Sequence, residues 1–389
     1  MTEWKECLLS DLGTVVGGAT PSTKNPTNYE GGTISWITPK DLADFKGRYI
    51  AHGERMITEA GLASCSTQLM PTHSVLFSSR APIGYVAIAA NELCTNQGFK
   101  SVVPNEGTDY LFLYYLLKFN KDAIENLGSG TTFKEVSGST MRNVKVRVPV
   151  LLSEQKKIAS VLGAIDDKIE ENERINNNLF QQAQALFKAR FVDLLPFNGE
   201  MPSNWRSGTV SEVIELHDSK RIPLSSRERA ALAKVYPYYG ATSIMDYVDR
   251  YLFDGIYLLL GEDGTVVDNA GYPILQYVEG KFWVNNHAHI LTGKNGFSVE
   301  LLYLLFSLTN VASIVTGAVQ PKISQANLNK VPIIIPSIEE LRMMDDQVHP
   351  MFAQIRNLRA ENDRLATVRD TLLPKLMNGE LDVSEVGDL

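Results

Sequence analysis

Gly130-Thr131-Thr132-Phe133-Lys134-Glu135-Val136-Ser137, followed by Met141, Val144, Val148 and Pro149, returns 187 residues later as Gly317-Ala318-Val319-Gln320-Pro321-Lys322-Ile323-Ser324, followed by Leu328, Val331, Ile335 and Pro336. The offset holds from the glycine to the closing proline, which marks a duplication rather than two chance helix entries. After each proline comes a long polar stretch with helical periodicity. Each stretch closes on the same tripeptide, Asn198-Gly199-Glu200 and then Asn378-Gly379-Glu380. The chain therefore reads as two copies of one unit, a globular part followed by a long helix.

Both helical stretches carry heptads. In the second, Val348, Ile355 and Asn362 are spaced by seven, with Met344, Met351, Leu358, Leu365 and Leu372 as the companion series. The first has Leu162, Ile169 and Asn176, with Ile158, Ile165, Asn172, Leu179 and Leu186. So narrow an apolar seam needs a partner helix of the same kind, and the duplication supplies one. The expected fold is α+β: two mixed domains, residues 1–150 and 196–336, joined by two long helices, residues 151–195 and 337–389. The helices are expected to pair as an antiparallel coiled coil, relating the halves by a pseudo-two-fold axis. Asn176 and Asn362 fall at equivalent seam positions. Each either fixes the register at a cost in stability or lies solvated at the seam edge. Pro350 interrupts the pattern and points to a first helical turn or a kink there. A helix from Glu154 to Arg190 spans roughly 55 Å at ~1.5 Å per residue, enough for a rigid spacer.

At 389 residues, 44% hydrophobic and 21% charged, the chain is long enough for two or three domains with sizeable cores. No apolar run approaches the ~18 residues of a membrane span, and the opening Met1-Thr2-Glu3-Trp4-Lys5-Glu6 lacks the pattern of a secretory signal. Three cysteines, Cys7, Cys65 and Cys94, are an odd number without a CxxC pair, which fits a reducing, cytoplasmic setting without disulfides or a zinc ribbon. The net charge of −8 argues at first against a nucleic-acid partner. Its distribution removes the objection: residues 337–389 hold six basic and eleven acidic side chains, so the two globular segments are near neutral.

No complete active site can be assembled. There is no GxxxxGK[ST] phosphate loop and no GxSxG elbow, and the glycine pieces Val16-Gly17-Gly18 and Leu127-Gly128-Ser129-Gly130 do not follow the dinucleotide pattern. Glu279-Gly280-Lys281, with Asp263 or Asp268 upstream, matches the end of a metal-dependent nuclease motif only superficially. His287 and His289, two apart, lack the companions of a metal site, and a hydrogen-bonded structural role suits them better. Neither a catalytic nor a metal-binding residue is assigned.

In the globular parts, Gly18-Ala-Thr-Pro-Ser22, Ile34-Ser-Trp-Ile-Thr-Pro-Lys-Asp-Leu42, Ser78-Ser-Arg-Ala-Pro-Ile-Gly84 and Thr95-Asn-Gln-Gly-Phe99 resemble segments of the specificity (S) subunits of type I restriction-modification systems. So do Tyr236-Pro-Tyr-Tyr-Gly-Ala241, Leu260-Gly-Glu-Asp-Gly264 and Phe282-Trp-Val-Asn-Asn-His-Ala-His289. Glu154–Phe187 and Arg369–Glu380 are similar to the family's two central spacer regions. The resemblance covers essentially the whole chain; its specificity lies in the order of the segments, the duplication and the heptads together.

The resemblance implies a non-catalytic subunit with two target recognition domains, each reading one half of a bipartite double-stranded DNA site. The paired helices would set the spacing and dock two modification subunits, which methylate adenine N6 with S-adenosylmethionine. Restriction subunits that translocate with ATP and Mg would join that core, and no cofactor is expected in this chain. By residue chemistry the expected DNA contacts are Lys24, Thr38, Lys40, Arg80 and Asn96 in the first domain, and Lys220, Arg221, Tyr239, Asn285 and Lys322 in the second. Arg and Lys suit guanine or phosphate, Asn suits adenine, and Tyr suits a phosphate or a stacked base. Asn285 and Tyr239 serve equally well as loop-holding residues. Two other readings stay open: a free-standing DNA-binding or scaffold protein, and a specificity subunit of another restriction-modification type.

Overall fold

The structure, a computed structural model, describes residues 2–43, 45–130, 134–317 and 319–383. Thr131, Thr132, Phe133 and Ala318 of the repeated stretch lie outside the described residues. The chain divides into two compact units, Met1–Glu171 with Glu361–Leu389, and Asn172–Ala360, so each long helix contributes one part to each unit.

In the first unit the strands are β1 (Trp4–Leu8), β2 (Gly13–Gly17), β3 (Ile34–Ile37), β4 (Tyr49–Ile50), β5 (Arg55–Ile57), β6 (Val75–Ser79), β7 (Ile83–Ala89), β8 (Cys94–Thr95), β9 (Lys100–Pro104) and β10 (Lys145–Pro149). They form a sheet ordered β2-β9-β6-β7-β4, a small sheet β5-β3-β8 and a ribbon β1-β10. β6 is buried at every position because both of its faces are covered. With the side chains alternating, Val75 and Phe77 meet the helix Tyr110–Phe119, while Leu76 packs with Ile37 and Phe99 on the other face. That helix starts at Asp109, whose Oδ1 accepts from Phe112 N at 2.8 Å, and Phe112 through Leu117 are all buried.

The second unit repeats the plan with β11 (Arg206–Thr209), β12 (Ile214–Leu216), β13 (Tyr236–Tyr239), β14 (Ile244–Val248), β15 (Phe253–Gly261), β16 (Leu275–Val284), β17 (Ala288–Gly293) and β18 (Pro332–Ile335). Its sheet is ordered β12-β17-β15-β16-β13-β14, beside a ribbon β11-β18. In β15, Leu258 and Leu260 face the helix Val299–Ser307 and Leu259 the opposite side, the alternation of β6 over again. A parallel pairing recurs too: β3 with β8 through Trp36↔Cys94, and β13 with β16 through Tyr238↔Trp283. The ten-residue β16 runs unbroken where the first unit splits it into β7 and β8, so two sheets there correspond to one here.

The ribbons lead into the long helices, Leu152–Phe187 and Ile338–Met377. Pro350 lies well inside the second helix and not in a first turn, which corrects that part of the sequence reading; its missing N–H removes one rung of the helix ladder. In the first unit, Ile158 and Leu162 are fully buried and share a core with Leu372, Leu376 and Met377. Asp166 pairs there with Arg369 at 2.7 Å, and Asn362 Nδ2 donates to the Ile169 carbonyl at 3.3 Å. In the second unit, Leu179 packs into the core that holds Val348 and Ile355, Phe180 meets Phe352 edge to face, and Arg190 pairs with Glu340 at 2.5 Å. Leu358 is buried as well, whereas Ile165, Ile169, Asn176, Leu179, Asn362, Leu365 and Leu372 are half-buried. Leu186 is exposed, and Ala183 and Phe187 take the inward positions. There the buried face follows the natural helical period onto a globular core instead of holding the strict heptad.

Candidate nucleic-acid interface

In the first unit three segments converge on Thr95–Gly98. Ala19 N donates to Thr95 O at 3.1 Å, Asn96 N to Ile37 O at 2.9 Å, and Ser79 N to Gly98 O at 2.7 Å. Gly18 is required where the first of these passes: a Cβ would lie 2.2 Å from the carbonyl oxygens of Thr95 and Asn96. Trp36 Nε1 and the Tyr29 hydroxyl hold the same loop by donating to Ala19 O at 3.0 Å and Pro21 O at 2.6 Å.

Thr38, Asn96 and Arg80 are thereby brought into one region. Thr38 donates through N and Oγ1 to Asp41 Oδ2, at 2.7 and 2.6 Å, capping the turn Pro39–Leu42. Asn96 Oδ1 accepts from Gly98 N at 2.8 Å. Arg80 faces Glu135 at 3.5 Å, and Lys100 reaches the same carboxylate at 3.5 Å. Lys40 is exposed and meets Glu54 at 2.7 Å. Lys24 is exposed on the turn before Pro26, with no ion pair among the described residues.

The second unit builds the same junction with other side chains. Val136 N→Ser79 O at 3.0 Å becomes Ile323 N→Glu262 O at 2.9 Å, and the Ser129↔Glu135 bridge becomes Thr316↔Lys322. Val136, Ser129 and Glu135 move by the 187-residue offset of the repeat, and their strand partner moves by 183, from Ser79 to Glu262. The charge at the loop root changes sign between the units: Glu135 on the loop meets Arg80 in the first, and Lys322 meets Glu262 at 3.2 Å in the second.

Behind Lys322 lies a buried polar network. His289 is fully buried, with Nδ1 2.6 Å from Asp218 Oδ2 and Nε2 2.8 Å from the Ile323 carbonyl. Asp218 also accepts from Gln325 Nε2 at 2.5 Å and Ile290 N at 2.9 Å. Burial by itself would raise the Asp218 carboxyl, but the hydrogen bond and charge of His289 hold it below the usual range. Burial acts the same way on Glu262, and the Arg221 guanidinium and the His289 charge outweigh it. A carbonyl oxygen and a carboxylate both only accept, so each ring nitrogen of His289 faces an acceptor. Asp218, Glu262 and His289 offer atoms within 4.8 Å of one another. With both ring nitrogens engaged and Arg221 and Lys322 alongside, positive charge comes from side chains, and the cluster is an ion-pair network.

Arg221 and Asn285 are occupied inside the fold. Arg221 reaches Glu262 at 2.5 Å and Ala288 O at 2.8 Å. Asn285 is 3% exposed; its Oδ1 accepts from His287 N at 2.8 Å and its Nδ2 contacts Met245 Sδ at 3.1 Å. Tyr239 is half-buried, set edge to face on Phe282. Lys220 is exposed at the end of the turn Asp218–Lys220 and, among the described residues, has no ion pair. The nuclease-like residues are scattered over separate tasks. Asp263 binds His287 at 2.5 Å, Asp268 caps a turn to Ala270 and Tyr272, Glu279 faces Arg356, and Lys281 sits over the Tyr251 ring.

The sequence reading missed two clusters that tie the long helices to their units. Asp166, which lies off the heptad series, accepts from Tyr115 OH at 2.6 Å as well as from Arg369. In the second unit Glu300 accepts from Tyr277 OH at 2.7 Å and from Arg356 at 2.9 Å.

Comparison with known proteins gives one answer. A family model described as the type I restriction modification DNA specificity domain matches residues 1–181 and 202–365. The type I restriction enzyme MjaIX specificity subunit of Methanocaldococcus jannaschii is 34% identical over 99% of this chain and 95% of its own length. The EcoR124I/EcoR124II specificity subunit of Escherichia coli is 28% identical over 42% of this chain and 41% of that protein. The crystal structure of a type I restriction-modification S subunit from M. genitalium shares the fold, with a TM-score of 0.58 at 18% identity and 96% of each chain covered.

Proposed function

Because the chain belongs to the type I restriction-modification DNA specificity family, we propose that its two units are target recognition domains, each reading one half of a bipartite double-stranded DNA site. The observation that carries this reading is one loop junction built twice on the same backbone plan and furnished with different side chains. Arg80, Glu135 and Lys100 stand in the first, and Glu262, Lys322, Asp263 and His287 in the second. Equal frames with unequal chemistry suit two unequal half-sites.

Within those surfaces the exposed lysines Lys24, Lys40, Lys220 and Lys322 and the half-buried Arg80 approach phosphate or guanine. Thr38, Asn96, Tyr239, Asn285 and Arg221 act chiefly by holding the loops that carry them. The two long helices form an antiparallel coiled coil that sets the distance between half-sites. In the first unit early first-helix residues meet late second-helix ones, in the second unit Arg190 just past the far end of the first helix meets Glu340 at the start of the second, and both meetings support this arrangement. Along the DNA, half-sites one turn apart are about 34–36 Å from centre to centre, a distance that helices of this length span. The same helices dock two modification subunits, and restriction subunits complete the complex. S-adenosylmethionine, ATP and Mg belong to those partners, and this chain supplies the address.

The test pairs the chain with its modification subunit in a host lacking other adenine methylases and maps N6-methyladenine across the genome. One bipartite motif with a fixed gap is expected, and exchanging the loops of one unit should alter one half of it. A motif without a gap, or an exchange that alters both halves, would overturn the reading.

A further inference from the structure

The first unit contains a cavity of about 260 Å³ between Leu42, Phe45 to Gly47, the start of β7 and the helix Tyr110–Phe119. Phe45, Tyr85 and Tyr114 contribute aromatic walls, and the charged side chains among its described lining residues are Lys46, Lys118 and Lys121. Lys118 is half-buried; its amine reaches the Tyr114 hydroxyl at 3.3 Å and lies 5.1 Å from that ring's centre. Lys121 is held by shape. Gly84 has φ +96, and a Cβ there would come within 2.5 Å of Lys121 Cγ, so the glycine leaves room for the lysine stem.

Elsewhere the chain treats its buried cations differently. Arg48 pairs with Glu170 and Asp167, Arg221 with Glu262, Arg356 with Glu300, and Arg369 with Asp166. Among the described residues no carboxylate pairs with Lys46, Lys118 or Lys121. A desolvated cation is costly unless a counter-charge accompanies it. Burial, together with the Arg369 charge, pushes the Lys118 amine below the usual lysine range against the opposing charges of Asp166 and Asp370.

We propose that this cavity is a binding site for a phosphate group, with Lys118 at its inner end and Lys46 and Lys121 at its exposed rim. The phosphate comes from the DNA backbone, an arm that rests on the function proposed above, or from a free phosphate compound, an arm that does not.

The experiment uses the full chain, pyrophosphate as the probe in calorimetric titration, and duplex DNA at a series of salt concentrations. Two variants are compared, Lys118→Met and the rim pair Lys46→Gln with Lys121→Gln; the latter changes only exposed groups and keeps the test valid should the former fold poorly. Pyrophosphate affinity should fall at least tenfold in the rim variant. If the source is DNA, that variant also lowers the salt slope of DNA binding by about two, equally for target and unrelated duplexes. If the source is a free compound, DNA binding stays as in the parent. Failure of the recognition reading would appear instead as lost discrimination between the two duplexes. Unchanged pyrophosphate and DNA affinities in a folded rim variant would overturn the site.

Discussion

His289 is enclosed by acceptors on both edges of its ring, and the consequences reach the stability of the second unit. Asp218 is held ionised below the usual range, so its contribution is complete above its unfolded pKa of about 3.9 and is lost as pH falls through the lower folded value. Asp218→Asn removes the buried carboxylate shared by His289, Gln325 and the Ile290 N–H and should cost about 3 kcal/mol at pH 7. The gap between variant and parent should close as the pH is taken below about 4; denaturant unfolding at several pH values measures it, and a constant gap would contradict the pairing. Lys24 and Lys220 make the opposite case. Exposed and, among the described residues, without ion pairs, they are free to meet phosphate, and Lys24→Ala or Lys220→Ala should each lower the salt slope of DNA binding by about one while leaving sequence preference intact. Fluorescence anisotropy with target and unrelated duplexes checks both. Residue chemistry selected these two lysines and Arg221 on equal terms. What separates them is that Arg221 is folded back onto Glu262 and Ala288, a long-range pairing that no local pattern announces.

At the scale of elements, each long helix is bonded to the globular part as well as packed on it. Asp166 takes hydrogen bonds from Tyr115 and Arg369 in the first unit, and Glu300 takes them from Tyr277 and Arg356 in the second. Both clusters are buried, so removing the acid strands a hydroxyl and a guanidinium together. Asp166→Ala should destabilise the first unit by about 3–5 kcal/mol, while the double variant Asp166→Leu with Arg369→Met should recover much of that loss. A thermal-melt double-mutant cycle decides it; additive losses would show that the two residues do not act as a pair. The heptads foretold the buried Ile158, Leu162, Val348, Ile355 and Leu358, because apolar spacing reports which face leaves water. They misplaced Leu186, where the helix packs on a domain core and Ala183 and Phe187 turn inward. They were silent on Asp166, since a charge inside a core is decided by its partner across space.

For the whole molecule, the proposed spacer role of the long helices is the feature a length change tests. Adding one turn, about 5.4 Å, to both long helices should widen the gap in the methylated motif while leaving the bases of each half-site unchanged. Genome-wide mapping of N6-methyladenine reads this directly, and an unchanged gap would contradict the spacer role. The duplication, the α+β class, the long helices and the family were all legible in the chain itself, because a repeated unit leaves the same turn residues and apolar spacing at a constant offset wherever the same backbone must form. The tertiary structure alone decided which polar side chains remain available. It set Arg80 against Glu135 in one unit and Lys322 against Glu262 in the other, withdrew Arg221 and Asn285 into the interior, and left Lys24 and Lys220 in water. Backbone plan follows from local periodicity, whereas the fate of a charge depends on what folding brings within a few ångströms of it.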